Sequence, residues 1–207
     1  MGTIMIDFVI DATESASGNL PAVNLFCDDL IVKGYRKLSP FHDVRYGITA
    51  FYGKEDAIKS YRFKENLFTG DRYRFNRTFD TIEICAGSAD GKDHILGGMM
   101  HSSRKLKEAD GDLKVMLVFS DSYMERVNFE KIGVLSAQSV YLYLSDQEEL
   151  GEVRMNLFWG IPMVNKKHKV DHRLMPHRCS LADIFDSKGR ETQIDRIMKD
   201  ILELVEQ

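Results

Sequence analysis

The clearest pattern in the chain is IMIDFVIDATES, residues 4–15. Its first seven residues are mostly β-branched or aromatic, which predicts a buried strand. The polar residues that follow, 11–15, would then leave the carboxyl end of that strand. In open parallel sheets, ligands bind outside the carboxyl ends of the strands, at the point where the strand order reverses. This stretch therefore predicts a central strand and a candidate site directly after it.

Apolar runs and helical stripes alternate along the rest of the chain. Strands are predicted over residues 44–52, 61–68, 113–120 and 139–144. Helices are predicted over residues 20–38, 95–106, 181–185 and 194–205. Alternation of this kind around apolar central strands predicts an α/β fold, with an open Rossmann-like sheet covered by helices on both faces.

Composition limits the classes of function. The chain has 207 residues, with 28 Lys and Arg against 32 Asp and Glu, so we expect a single domain over residues 1–207. The region around residues 147–179 is the least regular and is predicted to be irregular or inserted. The slightly acidic balance argues against nucleic acid as a main partner, and no apolar run is long enough to predict a membrane helix.

The N-terminal residues lack the basic region of a secretory signal, and the three cysteines are widely spaced. These features favour a cytoplasmic protein with reduced thiols. The sequence gives no indication of the oligomeric state.

Two acidic residues directly follow the two most apolar strands. Asp11 follows the first, and Asp121 follows the strand predicted over residues 113–120. If these strands are parallel neighbours, the two carboxylates converge, and they repel each other unless a cation lies between them. Thr13 and Ser15 add hydroxyl oxygens. A shell of carboxylates and hydroxyls suits Mg²⁺, with Mn²⁺ or Ca²⁺ as alternatives, and disfavours zinc.

These residues resemble a known motif. Asp11, Thr13 and Ser15 are similar to the D-x-[ST]-x-S metal-ion-dependent adhesion site (MIDAS) of von Willebrand factor type A domains. Asp121 resembles the second acid of that family. The resemblance implies a mostly parallel sheet with one antiparallel strand. It also implies a metal-dependent protein-binding module, used for adhesion or as a scaffold, in which an acidic residue of the partner protein completes the metal shell.

The glycine-rich segment 86–99 resembles the loop that lies between these two parts of the family motif. Asp90 would take the place where many members have Thr, and Ser88 is the competing candidate. The resemblance also implies that Gly97 and Gly98 allow the following helix to lie close to the sheet.

Other interpretations of the same residues remain open. Asp11 could be the nucleophile of a haloacid-dehalogenase-like phosphatase, although Thr13 replaces the second acid of that family's D-x-D motif, so an enzyme is the less favoured class. The fold could also serve as a scaffold without bound metal. Asp11 and Asp121 could bind amides at strand ends, Thr13 and Ser15 could cap the next helix, and Asp90 could only shape a turn.

Further polar clusters carry weaker signals. Four residues of types that bind metals lie close together late in the chain, at a spacing that fits no zinc pattern we can derive: His168, His172, His177 and Cys179. Basic residues interleaved with them could instead form a patch for an acidic partner. Residues 61–64 and 72–75 also interleave aromatic and basic side chains, and strand alternation explains them as well as nucleic-acid contact does.

Overall fold

The structure is a computed structural model that describes residues 2–53, 58–87, 95–120 and 184–205, with short strand segments at 140–141, 156–158, 163–164 and 170–171. The strands are β1 (Thr3–Asp11), β2 (Asp43–Phe51), β3 (Lys59–Ser60), β4 (Leu113–Ser120), β5 (Val140–Tyr141), β6 (Asn156–Phe158), β7 (Met163–Val164) and β8 (Val170–Asp171). The helices are α1 (Leu20–Lys37), α2 (Arg72–Phe79), α3 (Ile95–Glu108) and α4 (Ser187–Val205), and a short 3₁₀ turn (Ser17–Asn19) precedes α1.

The described strands form an open and mostly parallel sheet in the order β3-β2-β1-β4-β5. β1 is parallel to both β2 and β4, and β4 is parallel to β5. β3 is antiparallel to β2, and a second antiparallel strand, β6, pairs with β4. The predicted α/β class with a mostly parallel sheet is confirmed.

Helices cover both faces of this sheet. Phe8 of β1 packs against Phe75 of α2, with ring centroids 5.3 Å apart. Its neighbour Asp7 bonds instead to Lys105 of α3. Because successive side chains of a strand point to opposite faces, α2 and α3 lie on opposite sides of the sheet. α1 contacts both α2 and α4. No helix within the described residues combines the length and hydrophobicity of a membrane-spanning helix.

A buried ion pair joins β1 to α3. The side chains of Asp7 and Lys105 are 0% and 2% exposed, and Lys105 Nζ donates to Asp7 Oδ1 at 2.7 Å. The hydroxyls of Ser102 and Thr49 donate to the other carboxylate oxygen at 2.5 and 2.8 Å. Gly47 lies opposite Asp7 on β2, and a Cβ there would be 2.7 Å from Asp7 Oδ1. Burial lowers the pKa of Lys105, and the charge of Asp7 opposes that effect.

The strand predicted over residues 61–68 is wrong. The observed strand β3 ends at Ser60, and the chain then makes a tight turn in which the backbones of Phe63 and Asn66 bond to each other. Lys64, inside this turn, has a left-handed φ of 63°. Alternating apolar residues predict a strand only where a neighbouring strand can pair along the whole segment. The residues that pair with β2 as a strand are Lys59 and Ser60, just before the predicted segment.

The strand interpretation of residues 72–75 is wrong as well, because they begin helix α2. Asp71 caps this helix by accepting a hydrogen bond from the Arg74 amide at 3.1 Å. Phe75 and Phe79, four residues apart, are both buried, which places them on one face of the helix.

The predicted α1 and α3 match the structure to within two residues, whereas α4 begins at Ser187, seven residues before the predicted start. Of the strand predicted over residues 139–144, the structure describes Val140–Tyr141, and most of the helix predicted over residues 181–185 lies outside the described residues. Gly98 allows the expected close approach of α3 to the sheet, because a Cβ there would lie 2.8 Å from Phe51 Cδ1. The cluster of His168, His172, His177 and Cys179, like most of the region 147–179, lies outside the described residues.

Candidate metal site

The candidate site lies where the strand order of the sheet reverses. The chain crosses from β1 to β2 on one side, and β4 then pairs with β1 on the other side. Such a reversal opens a crevice at the carboxyl ends of the two central strands. Asp11 ends β1 and Ser120 ends β4, and the register places Ile10 opposite Phe119. The expectation that these two strands are parallel neighbours is confirmed.

Two hydroxyl groups contact the carboxylate of Asp11, and a third lies next to one of them. Thr13 Oγ1 donates to Asp11 Oδ1 at 2.7 Å, and Ser120 Oγ donates to Asp11 Oδ2 at 2.7 Å. The hydroxyl oxygens of Thr13 and Ser15 are 3.1 Å apart. Asp11, Thr13 and Ser120 are fully buried, whereas Ser15 is exposed. The cluster therefore reaches solvent on the Ser15 side.

Hydrogen bonds to two neighbouring segments fix the turn after β1. The Ala12 amide donates to the carbonyl of Phe51 at the end of β2. On the other side, the Cys85 amide donates to the Ala12 carbonyl, and the Glu14 amide donates to the Cys85 carbonyl. The Thr13 amide turns back to Asp11 Oδ1 at 3.1 Å. The spacing of two residues between Asp11 and Thr13 is what allows this local bond.

The alternative that Thr13 and Ser15 cap the next helix is wrong. The N-cap of α1 is Asn19, which makes no side-chain capping bond. The hydroxyls of Thr13 and Ser15 point to each other, and that of Thr13 also points to Asp11. The alternative that Asp11 binds a neighbouring amide is confirmed for the Thr13 amide, and that bond uses one of the two carboxylate oxygens.

The sequence analysis missed Ser120 as a member of this cluster. The signal that could have found it is its position, since it is the last residue of the apolar run before Asp121. The remaining predicted site residues, Asp121, Asp90 and Ser88, lie outside the described residues. Their role as ligands stays a prediction, as does that of Asp11, Thr13 and Ser15.

The donor chemistry of the cluster fits a hard divalent cation. A hydroxyl that gives its proton to a carboxylate keeps two lone pairs, which can bind a cation. Thr13 uses its proton in this way on Asp11. In the part of the chain that the structure describes, no three His, Cys, Asp or Glu side chains come together. The donors gathered here are one carboxylate and three hydroxyls, which is the oxygen chemistry of Mg²⁺ rather than of zinc.

The chain matches no protein-family model, and no curated protein matches it either. Among solved structures it is similar to the PilB minor pilin from Streptococcus sanguinis, at 13% identity and a TM-score of 0.42, over 93% of this chain and 45% of that one. It is also similar to the vWF domain of the type V pili tip protein Mfa5 from Porphyromonas gingivalis, at 12% identity and a TM-score of 0.40, over 86% of this chain and 65% of that one.

A third similar structure is proximal thread matrix protein 1 from the mussel byssus, which has a zinc-occupied MIDAS motif. The identity is 18% and the TM-score 0.38, over 56% of this chain and 28% of that one. The structural neighbours thus include vWF-type domains and pilus proteins, and this chain spans less than half the length of the pilin. These similarities are too weak to assign the chain to a family.

Proposed function

We propose that this chain is a protein-binding module that holds a divalent cation, Mg²⁺ before Mn²⁺ or Ca²⁺, at the Asp11 cluster. The observation that carries the proposal is the convergence of one carboxylate with the hydroxyls of Thr13, Ser15 and Ser120 at the crevice between β1 and β4. The D-x-T-x-S spacing supports it, because the turn brings the Thr13 hydroxyl to the Asp11 carboxylate and the Ser15 hydroxyl next to that of Thr13.

Residues beyond the described cluster would complete the protein's share of the metal shell. Asp121 directly follows Ser120 in the chain. Asp90 and Ser88 follow Cys85, whose backbone is bonded to the turn after β1. We assign Asp121 as a further ligand, and Asp90 or Ser88 as the ligand from the glycine-rich segment 86–99, directly or through water.

A shell of this composition leaves room for a partner. Mg²⁺ prefers six oxygen ligands and keeps several waters when the protein supplies only a few carboxylates. An Asp or Glu side chain of a partner protein would replace one of these waters and add a negative charge. Partner binding would then require the cation and the partner's carboxylate together.

Thermal unfolding with and without the cation tests the metal site. We expect Mg²⁺ or Mn²⁺ to raise the Tm of the wild type relative to EDTA. A ligand present at about 100 times its Kd contributes roughly 2.7 kcal/mol, which corresponds to roughly 5–10 °C for a chain of this size. Asp11→Asn and Ser15→Ala should lose most of this gain. Ser15→Ala is the cleaner variant, because Ser15 is exposed and its replacement disturbs little packing.

Ser17→Ala is the matched control, because the Ser17 hydroxyl donates to the Glu14 carbonyl and not to the cluster. It should keep the full gain in Tm. If none of the three cations changes the Tm of the wild type, the metal-site proposal fails and the alternative of a scaffold without bound metal is favoured. An equal gain in Asp11→Asn would place the cation elsewhere. A pull-down tests the partner step. Proteins that the immobilised wild type retains in Mg²⁺ should be released by EDTA, and immobilised Asp11→Asn should not retain them.

A further inference from the structure

A basic groove lies beside α2, and none of its lining residues belongs to the Asp11 cluster. It is open to solvent and has a volume of about 540 Å³. Its walls are residues 61–64 of the turn after β3, together with Asp71 and one side of α2. The fold thus brings together the two stretches that interleave aromatic and basic residues in the sequence. We call this feature the α2 groove.

The α2 groove is positively charged in a chain of net charge −4. Four basic side chains line it: Arg62, Lys64, Arg74 and Arg77. The lining includes one carboxylate, that of Asp71, so the local net charge is +3. This concentration of charge contrasts with Arg72 on the same helix, which donates two hydrogen bonds of 2.6 Å to Asp28 and so serves to hold α2 against α1.

Much of the positive charge in the groove is available to a ligand. Arg74 contacts Asp71 at 3.3 Å while its side chain remains 51% exposed. Arg62 gives one N–H to the carbonyl of Glu65 and keeps its other donors. Across the described ranges of the chain, neither Lys64 nor Arg77 has an ion pair or a side-chain hydrogen bond.

The groove is built on rigid aromatic side chains. Phe63 is buried and stacks on Phe75 of α2, with ring centroids 6.1 Å apart and planes at 19°. The turn holds Lys64 in a left-handed conformation that costs a non-glycine residue about 1–2 kcal/mol. Tyr73, 72% exposed, adds an aromatic ring at the rim.

We propose that the α2 groove binds a short acidic segment of a partner protein, independently of any metal. A nucleic acid fits the charges less well, because carboxylates stand at both ends of α2. Asp71 caps its N-terminus, and Asp80 follows its last turn. A phosphate backbone carries a charge at every nucleotide and would be repelled there. One or two carboxylates can reach the arginines between these acids, with apolar side chains against Tyr73.

Peptide selection in EDTA tests the proposal. A phage library of random short peptides is selected on the wild type, and Arg74→Glu/Arg77→Glu serves as the depleting target. We expect the enriched peptides to be rich in Asp and Glu. A synthetic copy, measured by fluorescence anisotropy, should bind the double variant at least about tenfold more weakly, since two charge pairs are lost and two repulsions are added. Its affinity should also fall as salt rises.

Two matched variants make the result specific. Arg36→Glu makes one such Arg-to-Glu substitution at an exposed position on α1, outside the groove, and should keep the affinity. Asp11→Asn should keep it too, so failure of this proposal is distinguishable from failure of the metal site. Thermal unfolding checks that the double variant is folded, and Arg74→Gln/Arg77→Gln is used if it is not. Enrichment without acidic residues, equal binding by the double variant, or tighter binding of a single-stranded oligonucleotide would overturn the proposal.

Discussion

Lys105→Met removes the positive half of the buried ion pair between β1 and α3. The Met side chain keeps most of the length of Lys105, so little volume is lost. Asp7 remains 0% exposed and keeps two hydroxyl donors, Ser102 and Thr49, but loses the amine at 2.7 Å. Leaving one partner of a buried pair uncompensated costs about 3–5 kcal/mol, a large part of the stability of a domain.

Urea unfolding followed by circular dichroism measures this change. Lys107→Met is the matched control, because Lys107 is an exposed lysine on the same helix, and its effect should be below about 0.5 kcal/mol. The double variant Asp7→Asn/Lys105→Met should recover much of the loss, because a neutral amide can still accept hydrogen bonds from Ser102 and Thr49. If the double variant is as unstable as Lys105→Met alone, the loss comes from packing and the electrostatic reasoning fails.

Two further predictions concern packing and pH. Gly98→Ala places a Cβ about 2.8 Å from Phe51 and should cost about 1–3 kcal/mol in urea unfolding, whereas a change below about 0.5 kcal/mol would show that α3 can shift away from the sheet. Hydrogen bonds from Arg72 and Asn76 hold the pKa of Asp28 below its ordinary value. The Asp28 carboxylate therefore stabilises the fold fully at pH values above its ordinary pKa, and this stabilisation is lost as the pH falls through the lowered pKa of the folded state. Asp28→Asn should therefore lose less stability than the wild type as the pH falls below about 4, and parallel pH profiles would contradict this.

Long apolar patterns were predictable because burial alone determines them. β1 and β4 are apolar along nearly their whole length, and α1, α3 and α4 have stripes at helical spacing, so their positions follow from sequence. α2 was missed because it has eight residues, too few for a helical period to stand out from alternation. Its capping residue, Asp71, was the local signal that the alternation obscured.

The candidate site also has a part that the sequence predicted and a part that it did not. The contacts among Asp11, Thr13 and Ser15 are local to one turn, so their spacing predicted them. Ser120 reaches Asp11 only through the pairing of two strands that are 109 residues apart in the chain, and a sequence pattern does not specify that register. The partner of Asp7 was hidden for the same reason, since Lys105 lies 98 residues further along.

The pairing of Cys85 with the turn after β1 gives this protein a natural spectroscopic handle. Cys85 is exposed, whereas Cys27 is buried and burial raises the pKa of its thiol, so a maleimide dye would react with Cys85 in preference to Cys27. In a Cys179→Ser background, the dye would sit on a residue whose backbone bonds directly to residues 12 and 14. Its emission would then report the proposed cation binding in real time without any engineered cysteine.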